Sequence, residues 1–300
     1  MHVHRALPVV TVYAPAKLNL FLEVLAKRRD GFHEIETLMV PIGLCDTLSF
    51  AAVESAEITC TVRWDLPRDG SGAARSIPLG DDNLAVRAAR RLRETAGVQS
   101  GAAMHLVKRI PAAAGLAGGS SDAAAALSAA NVAWQLHWAP ARLASIAAEI
   151  GSDVPFFLDR KPALCLGRGE QVLPQAQLAP LHFVIVHPPT GLSTAEVYAG
   201  CRPAEVPRRA GALIESWRRG RQSDIGRLLH NRLQSAAAAI SPWIDRLRRE
   251  FDKLDVLGHQ MTGSGSAYFG ICRHARHARR LAATLRNRGF SQVFAVAGLT

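Results

Sequence analysis

Lys108-Arg109-Ile110-Pro111-Ala112-Ala113-Ala114-Gly115-Leu116-Ala117-Gly118-Gly119-Ser120-Ser121-Asp122, continuing into Ala123-Ala124-Ala125-Ala126-Leu127, is the stretch from which the rest of the chain can be read. Ahead of it, Met104, Leu106 and Val107 carry the apolar pattern of a strand ending at Lys108-Arg109. Pro111 and three glycines (Gly115, Gly118 and Gly119) then hold the backbone open, because glycine reaches φ > 0 at little steric cost. From Ser120 the chain is expected to turn helical, with Ser120 or Ser121 as cap, Asp122 at the positive end and alanines to propagate it. A glycine-rich loop feeding a helix start aims unpaired N–H groups and the positive helix end at one point. That is an anion site, and adjacent hydroxyls and amides suit a triphosphate. The loop is not a Walker loop, since no Gly-Lys-Ser/Thr follows the glycines. Nor is it the dinucleotide fingerprint, since Ala117 stands at the second glycine position counted from Gly115. Taken alone, the segment also reads as an alanine-rich buried helix after a flexible loop.

Three hundred residues with 48% hydrophobic content are enough for two domains. No run comes near about eighteen consecutive apolar residues, so no membrane span is expected. Ala14-Pro15-Ala16 superficially resembles a signal-peptide cleavage site, but Pro8, Thr11 and Tyr13 interrupt the apolar run before it, and a first strand is the better reading. The five cysteines are widely spaced and form no Cys-x-x-Cys pair, which points to a reducing, cytoplasmic compartment and away from structural zinc. A net charge of +11 favours polyanions, either nucleic acid or small phosphorylated metabolites. Aromatics are only 6% and do not interleave with the arginine runs, so those runs read as solvated helix faces and no nucleic-acid platform is indicated.

The order of elements is mixed. Strands are expected over Val9–Leu25, with a bulge or edge position at Ala14–Lys17, and over Phe32–Val40 after a turn at Lys27–Gly31. Further strands are expected at Thr47–Val53 and Glu57–Val62, followed by a polar loop over Asp65–Asp82. Helices are expected from Leu84 and over Pro140–Ile150, strands at Ala163–Leu166 and His182–His187. Helices then follow at Thr194–Ala199, Gly211–Trp217, Ile225–Ala238 and Trp243–Leu254. A strand at Gly258–Met261, the turn Thr262-Gly263-Ser264-Gly265-Ser266, a strand at Ala267–Ile271, a helix at Ala278–Arg288 and a strand at Gln292–Ala297 complete an α+β protein. The expected domains are 1–175 and 176–300, with a soft boundary near Pro174–Pro180.

Four features stand apart: the loop at Pro111–Ser121, a second glycine turn at Gly263–Gly265, Lys17 after a proline-constrained kink, and Asp153 just after a helix. Singly, Lys17 reads as a solvated lysine and Asp153 as a cap. In this order they resemble the GHMP small-molecule kinases, whose Pro-x-x-x-Gly-Leu-x-x-Ser-Ser/Ala loop is matched by Pro111, Gly115, Leu116, Gly119, Ser120 and Ser121. Ala14-Pro15-Ala16-Lys17-Leu18-Asn19-Leu20-Phe21-Leu22, Arg29-Asp30-Gly31-Phe32-His33-Glu34, Asp81-Asp82-Asn83-Leu84 and Gly151-Ser152-Asp153-Val154-Pro155-Phe156-Phe157 resemble one branch of that superfamily. Its members phosphorylate a cytidine-diphosphate-linked methylerythritol, and the resemblance covers nearly the full length.

The resemblance implies a two-domain fold, an N-terminal domain like the second domain of ribosomal protein S5 and a ferredoxin-like C-terminal domain, with the site between them. It implies ATP as co-substrate and transfer of its γ-phosphate to the 2-hydroxyl of the cytidyl substrate. Mg²⁺ would be held mainly by phosphates, with one hydroxyl such as Ser121 and no dedicated metal residues. Asp153 and Lys17 would be catalytic. Pro111, Ala112, Ala113, Ala114, Gly115, Leu116, Ala117, Gly118, Gly119, Ser120 and Ser121 would bind ATP, with Asn83 near its base. Asn19 would position substrate hydroxyls, Phe32 stack on the cytosine, His33 bond its edge, and Thr262, Gly263, Ser264 and Gly265 line the phosphate side. A monomer or weak homodimer without nucleic-acid or membrane partners is expected. Two departures accompany the match. Phe32 replaces the tyrosine common in the family, and Ala113, Ala114 and Ala117 occupy positions often glycine. Alanine resists φ > 0, which bears on the aim of individual amides but not on the loop's role. The rivals are a homoserine- or mevalonate-type kinase of the same superfamily and a non-catalytic basic nucleic-acid-binding protein.

Overall fold

The computed structural model describes residues 9–66 and 80–299; the chain start and most of the expected Asp65–Asp82 loop lie outside the described residues, as does the side chain of Asp81. The first half runs β1 (Val10–Lys27), β2 (His33–Val53), β3 (Ile58–Trp64), α1 (Leu84–Ala96), β4 (Gly101–Lys108), α2 (Gly118–Ala133), α3 (Pro140–Ile150), α4 (Phe156–Asp159), β5 (Ala163–Leu166) and β6 (Gln171–Pro174). Next come β7 (His182–His187), α5 (Thr194–Ala199), α6 (Gly211–Arg218), α7 (Gln222–Leu228), β8 (His230–Asn231) and α8 (Gln234–Ile240). The chain closes with α9 (Pro242–Asp252), β9 (Gly258–Met261), β10 (Tyr268–Cys272), α10 (Ala275–Asn287) and β11 (Gln292–Ala297). A helix had been expected across Ile225–Ala238. Instead β8 interrupts it, because His230 and Asn231 pair in parallel with Phe21 and Leu22.

Two sheets result. The larger orders its strands β3-β4-β2-β1-β8, with β5 added on β2 and β6 on β5; the smaller is antiparallel in the order β11-β7-β10-β9. Numbered within themselves, the smaller sheet's strands read 4-1-3-2, the ferredoxin-like arrangement. The β1–β2 hairpin joins the layers. Val10 to Tyr13 alternate between half-buried and exposed, but from Ala14 to Val24 every residue is buried, as happens when both faces of a strand are covered. Ala14 belongs to the core beneath α1 and α2; Leu18 and Leu20 pack with Phe183 and Phe269 of the second sheet. Register slips between Pro15 and Ala16, where a bulge was expected. Proline is tolerated there because β8 pairs only with Phe21 and Leu22, leaving Pro15 unpaired on that side.

α2 lies deep in the first core. Its alanines from Ala123 to Ala126, with Ala129 and Ala130, are buried, and their small side chains let the helix approach the sheet closely. Buried Glu23 on β1 ties in the C-terminal half by accepting from Arg232, from the Arg208 amide and from His230. Burial opposes ionisation, but those donors bring its carboxyl down to about 2.

Candidate active site

A cavity of about 980 Å³ opens between the two halves. Its floor is where three chain segments interlock. Gly115 (φ +72°) lies so close to the second glycine turn that a Cβ there would sit 2.2 Å from the Thr262 carbonyl oxygen. Gly263 (φ +55°) returns the approach, since its Cβ would lie 3.1 Å from Lys17 Nζ. Only glycine meets both demands, a left-handed backbone and no side chain. The Ala267 amide donates to the Ala114 carbonyl (3.0 Å) and the Lys17 amide to that of Leu116 (3.1 Å), so loop, turn and β1 are stitched together.

Lys17 stands at this junction. Its ammonium donates to Asn19 Oδ1 (2.6 Å) and to the Gly115 carbonyl (2.9 Å), and lies 3.8 Å from Asp153 Oδ2. Burial pulls the ammonium below its ordinary value, and Asp153 restores only part of that shift. Asn19 donates from Nδ2 to Thr37 Oγ1 (2.8 Å), while its amide donates to Thr262 Oγ1 (3.0 Å). Its carboxamide therefore orients Lys17, a task the sequence reading did not give it. Asp153 caps neither neighbouring helix: α3 ends at Gly151, and α4 follows Pro155 without a side-chain cap. Its carboxylate is turned into the cavity.

The loop differs from expectation in detail. α2 starts at Gly118, two residues early, after Ala117 in the left-handed region (φ +56°) and without a serine cap. Ala113 is also left-handed (φ +50°), so two alanines at glycine-type positions adopt the glycine conformation despite its cost. Asp122 is buried at the cavity wall. It turns beneath the loop to Lys108 Nζ (2.5 Å), whose ammonium also donates to Asp46. Asp46 in addition accepts from the Arg109 and Ile110 amides and so anchors the loop's entry. Burial alone would lower Lys108, but the two carboxylates outweigh it and hold the ammonium above its ordinary value. Burial raises the Asp122 carboxyl above the usual carboxylate range, and Asp46 adds to this against the pull of Lys108.

Of the loop residues, Pro111 to Gly115 and Ala117 to Ser120 line the cavity; Leu116 is buried in the core, and Ser121 lies beneath the surface with its Oγ lacking a hydrogen-bond partner. Asn83 lines the cavity and caps α1, accepting from the Ala85 amide (2.9 Å). Gly263 and Ser264 face the cavity, whereas Thr262 and Gly265 support from behind.

At the far end Phe32 is 49% exposed and belongs to none of the apolar core clusters. The Arg168 guanidinium covers one face of it, 4.7 Å from the ring centre. The His33 ring lies 5.0 Å from that of Tyr198 on α5. Burial first, and the Lys27 charge second, lower the His33 imidazole. Tyr198, Thr194, Lys27, Thr37, Lys108 and Arg168 all face the cavity and were missed by the sequence reading. Tyr198 lay inside an expected helix with no motif to mark it, and Lys108 was seen only as a strand end.

The glycine-rich loop, the buried lysine and the carboxylate facing it belong to a chain that comparison places among the GHMP small-molecule kinases. The GHMP kinases N terminal domain model matches residues 83–160 and the GHMP kinases C terminal model residues 212–291. A 4-diphosphocytidyl-2-C-methyl-D-erythritol kinase from Pelotomaculum thermopropionicum is 41% identical over 280 residues, 93% of this chain and 94% of the relative. One from Shouchella clausii is 37% identical over 288 residues, 95% and 93% of the two chains. A crystal structure of 4-(cytidine 5'-diphospho)-2C-methyl-D-erythritol kinase superposes with a TM-score of 0.79 at 34% identity, covering 97% of this chain and all of that one. Homoserine kinase from Cytophaga hutchinsonii shares the fold alone, at a TM-score of 0.73 and 16% identity, over 100% of this chain and 96% of its own. The chain belongs to the 4-diphosphocytidyl-2-C-methyl-D-erythritol kinase family.

Proposed function

We propose that the protein transfers the γ-phosphate of ATP to the 2-hydroxyl of 4-diphosphocytidyl-2-C-methyl-D-erythritol, a step of the non-mevalonate route to isoprenoid precursors. The observation that carries this reading is the Lys17–Asp153 pair, 3.8 Å apart, at the cavity floor beside the glycine loop. Phosphoryl transfer asks for charge neutralisation and in-line positioning more than for covalent help. Asp153 takes the proton of the acceptor hydroxyl as its oxygen bonds to the γ-phosphorus and the bond to the ADP oxygen breaks. Lys17, held by Asn19 and Gly115, neutralises charge on the transferring group. Loop amides from Ala112 to Ser120 and the positive end of α2 receive the ATP phosphates. At the other end Phe32 offers its free face to the cytosine. A neutral His33, having one ring donor and one ring acceptor, matches the cytosine edge.

The donors present fit a metal ion carried by the nucleotide. Among the described residues no cluster of three or more histidine, cysteine or carboxylate side chains is built to hold one, while buried Ser121 Oγ has no hydrogen-bond partner. Mg²⁺ would be held by the ATP phosphates and would supply charge neutralisation of the triphosphate; Ser121 Oγ, expected to join them, is buried and does not line the cavity. Residues 1–175 are assigned to the domain bearing the ATP loop and Asp153, and residues 176–300 to the domain that closes the cavity. Five unpaired cysteines support a cytoplasmic setting. A monomer or weak homodimer without a nucleic-acid partner completes the assignment.

A coupled assay of ADP release over a panel of the cytidyl substrate, homoserine and mevalonate tests the reading. Turnover is expected with the cytidyl substrate alone; equal or faster turnover of homoserine or mevalonate would overturn it.

A further inference from the structure

Among the described residues, four cationic side chains line the cavity: Lys17, Lys27, Lys108 and Arg168. Two are engaged by partners within the protein. Lys17 is held by Asn19, Gly115 and Asp153, and Lys108 lies between Asp46 and Asp122. The other two flank the exposed Phe32-His33 pair. Lys27 ends β1 directly opposite His33 in the strand register. Arg168 sits on the turn between β5 and β6, its guanidinium on Phe32. The next residue, Gly169, abuts the reaction corner, since a Cβ there would lie 3.6 Å from Asp153 Oδ1. Arg168 therefore spans the gap between the base end and the carboxylate. The acidic groups near it leave its charge available to a ligand: Glu170 is 4.0 Å away and accepts mainly from the Arg168 amide, and Asp30 is bound to Arg28 and the Phe32 amide.

A ligand with its base on Phe32 and its alcohol at Asp153 must lay its connecting group across this gap. In a cytidine-diphosphate-linked alcohol that group is the diphosphate, a doubly charged anion that planar guanidinium recognises well. We propose that Arg168 and Lys27 form the subsite for the diphosphate of the cytidyl substrate, an inference that rests on the functional reading above.

Inhibition constants of cytidine and CDP against the cytidyl substrate, at saturating ATP, test it in the wild type and in Arg168→Gln, Lys27→Gln and the double variant. The wild type is expected to prefer CDP. Arg168→Gln should weaken CDP about tenfold, the worth of one lost charge-assisted hydrogen bond, and Lys27→Gln somewhat less, with cytidine unchanged in both. Arg168→Lys should recover part of the loss, because charge returns without the planar fork. An unchanged KM for ATP verifies that each variant is folded. CDP inhibition that survives the double variant overturns the subsite. Equal losses for cytidine and CDP overturn it as well, by assigning Arg168 to the packing of Phe32. If wild-type cytidine and CDP inhibit no better than uridine and UDP, the base end is not a cytosine site, and it is the functional reading that fails.

Discussion

The two ends of the cavity are built differently. At the end proposed for phosphoryl transfer Lys17 is 4% exposed, Asn19 2% and Thr262 fully buried; Lys17 bonds to Gly115, and Asn19 to Thr37 and Thr262, each on another segment. At the end proposed for the base Phe32 is 49% exposed under the Arg168 guanidinium and His33 lies against the Tyr198 ring, contacts that fix a plane but few directions. Phosphoryl transfer depends on placing one phosphorus against one oxygen, so its groups are held before the substrates arrive. Base recognition can use a looser platform, because stacking tolerates small displacements and draws its strength from area. The contrast predicts that damage at one end appears in turnover and at the other in substrate affinity.

The largest effect is expected for Lys17→Met, with kcat falling roughly 10²–10³-fold, as when one preorganised charge-stabilising donor is removed. The KM for the cytidyl substrate should change little, and a variant altered chiefly in KM would break the contrast. Phe32→Ala should do the reverse, raising the cytidyl KM by about 5–150-fold, equivalent to about 1–3 kcal/mol for a stacked base, at nearly constant kcat. An unchanged KM in a folded variant would remove Phe32 from the base site.

Alkaline pH sharpens the comparison. Burial lowers Lys17 below 10.5, so activity that needs its charge should fall as pH rises through that reduced value. The sign for stability is opposite. Between the folded value and 10.5 the unfolded chain binds the extra proton, so wild-type stability relative to Lys17→Met should rise with pH in the window where activity falls. Parallel pH profiles of kcat and of chemical denaturation check both directions; coincident falls would contradict the buried-lysine account. The smallest effect is expected at Ala117→Gly. Relief of a left-handed alanine, costing about 1–2 kcal/mol, is partly offset by the freer unfolded chain, leaving a gain below about 1 kcal/mol in denaturant midpoints. A loss of stability would show that the methyl group packs favourably.

How much was legible follows the same division. The strand-loop-helix at Lys108–Leu127, the bulge at Pro15 and the turn at Gly263–Gly265 all announce themselves, because glycine and proline report backbone constraints locally. Lys17 and Asp153, which the structure brings within 3.8 Å, are singled out by the order of motifs; nothing within either short segment distinguishes them from a solvated lysine and a cap. The Asp46–Lys108–Asp122 cluster joins positions 62 and 14 residues apart through tertiary packing, which no local pattern encodes. Tyr198 and Arg168 reach the base end from two further segments for the same reason. The short strand β8 was missed because its two residues are set by β1 and not by their own propensity. The early start of α2 shows propensity overridden: a left-handed Ala117 replaces the serine cap that the residue types favour.

The most direct test is the turnover of Asp153→Asn at saturating ATP and cytidyl substrate. A carboxylate that accepts the hydroxyl proton predicts a loss in kcat of at least about a hundredfold, with KM nearly constant. A variant that keeps kcat within about tenfold of the wild type would contradict the assignment of Asp153 as the base.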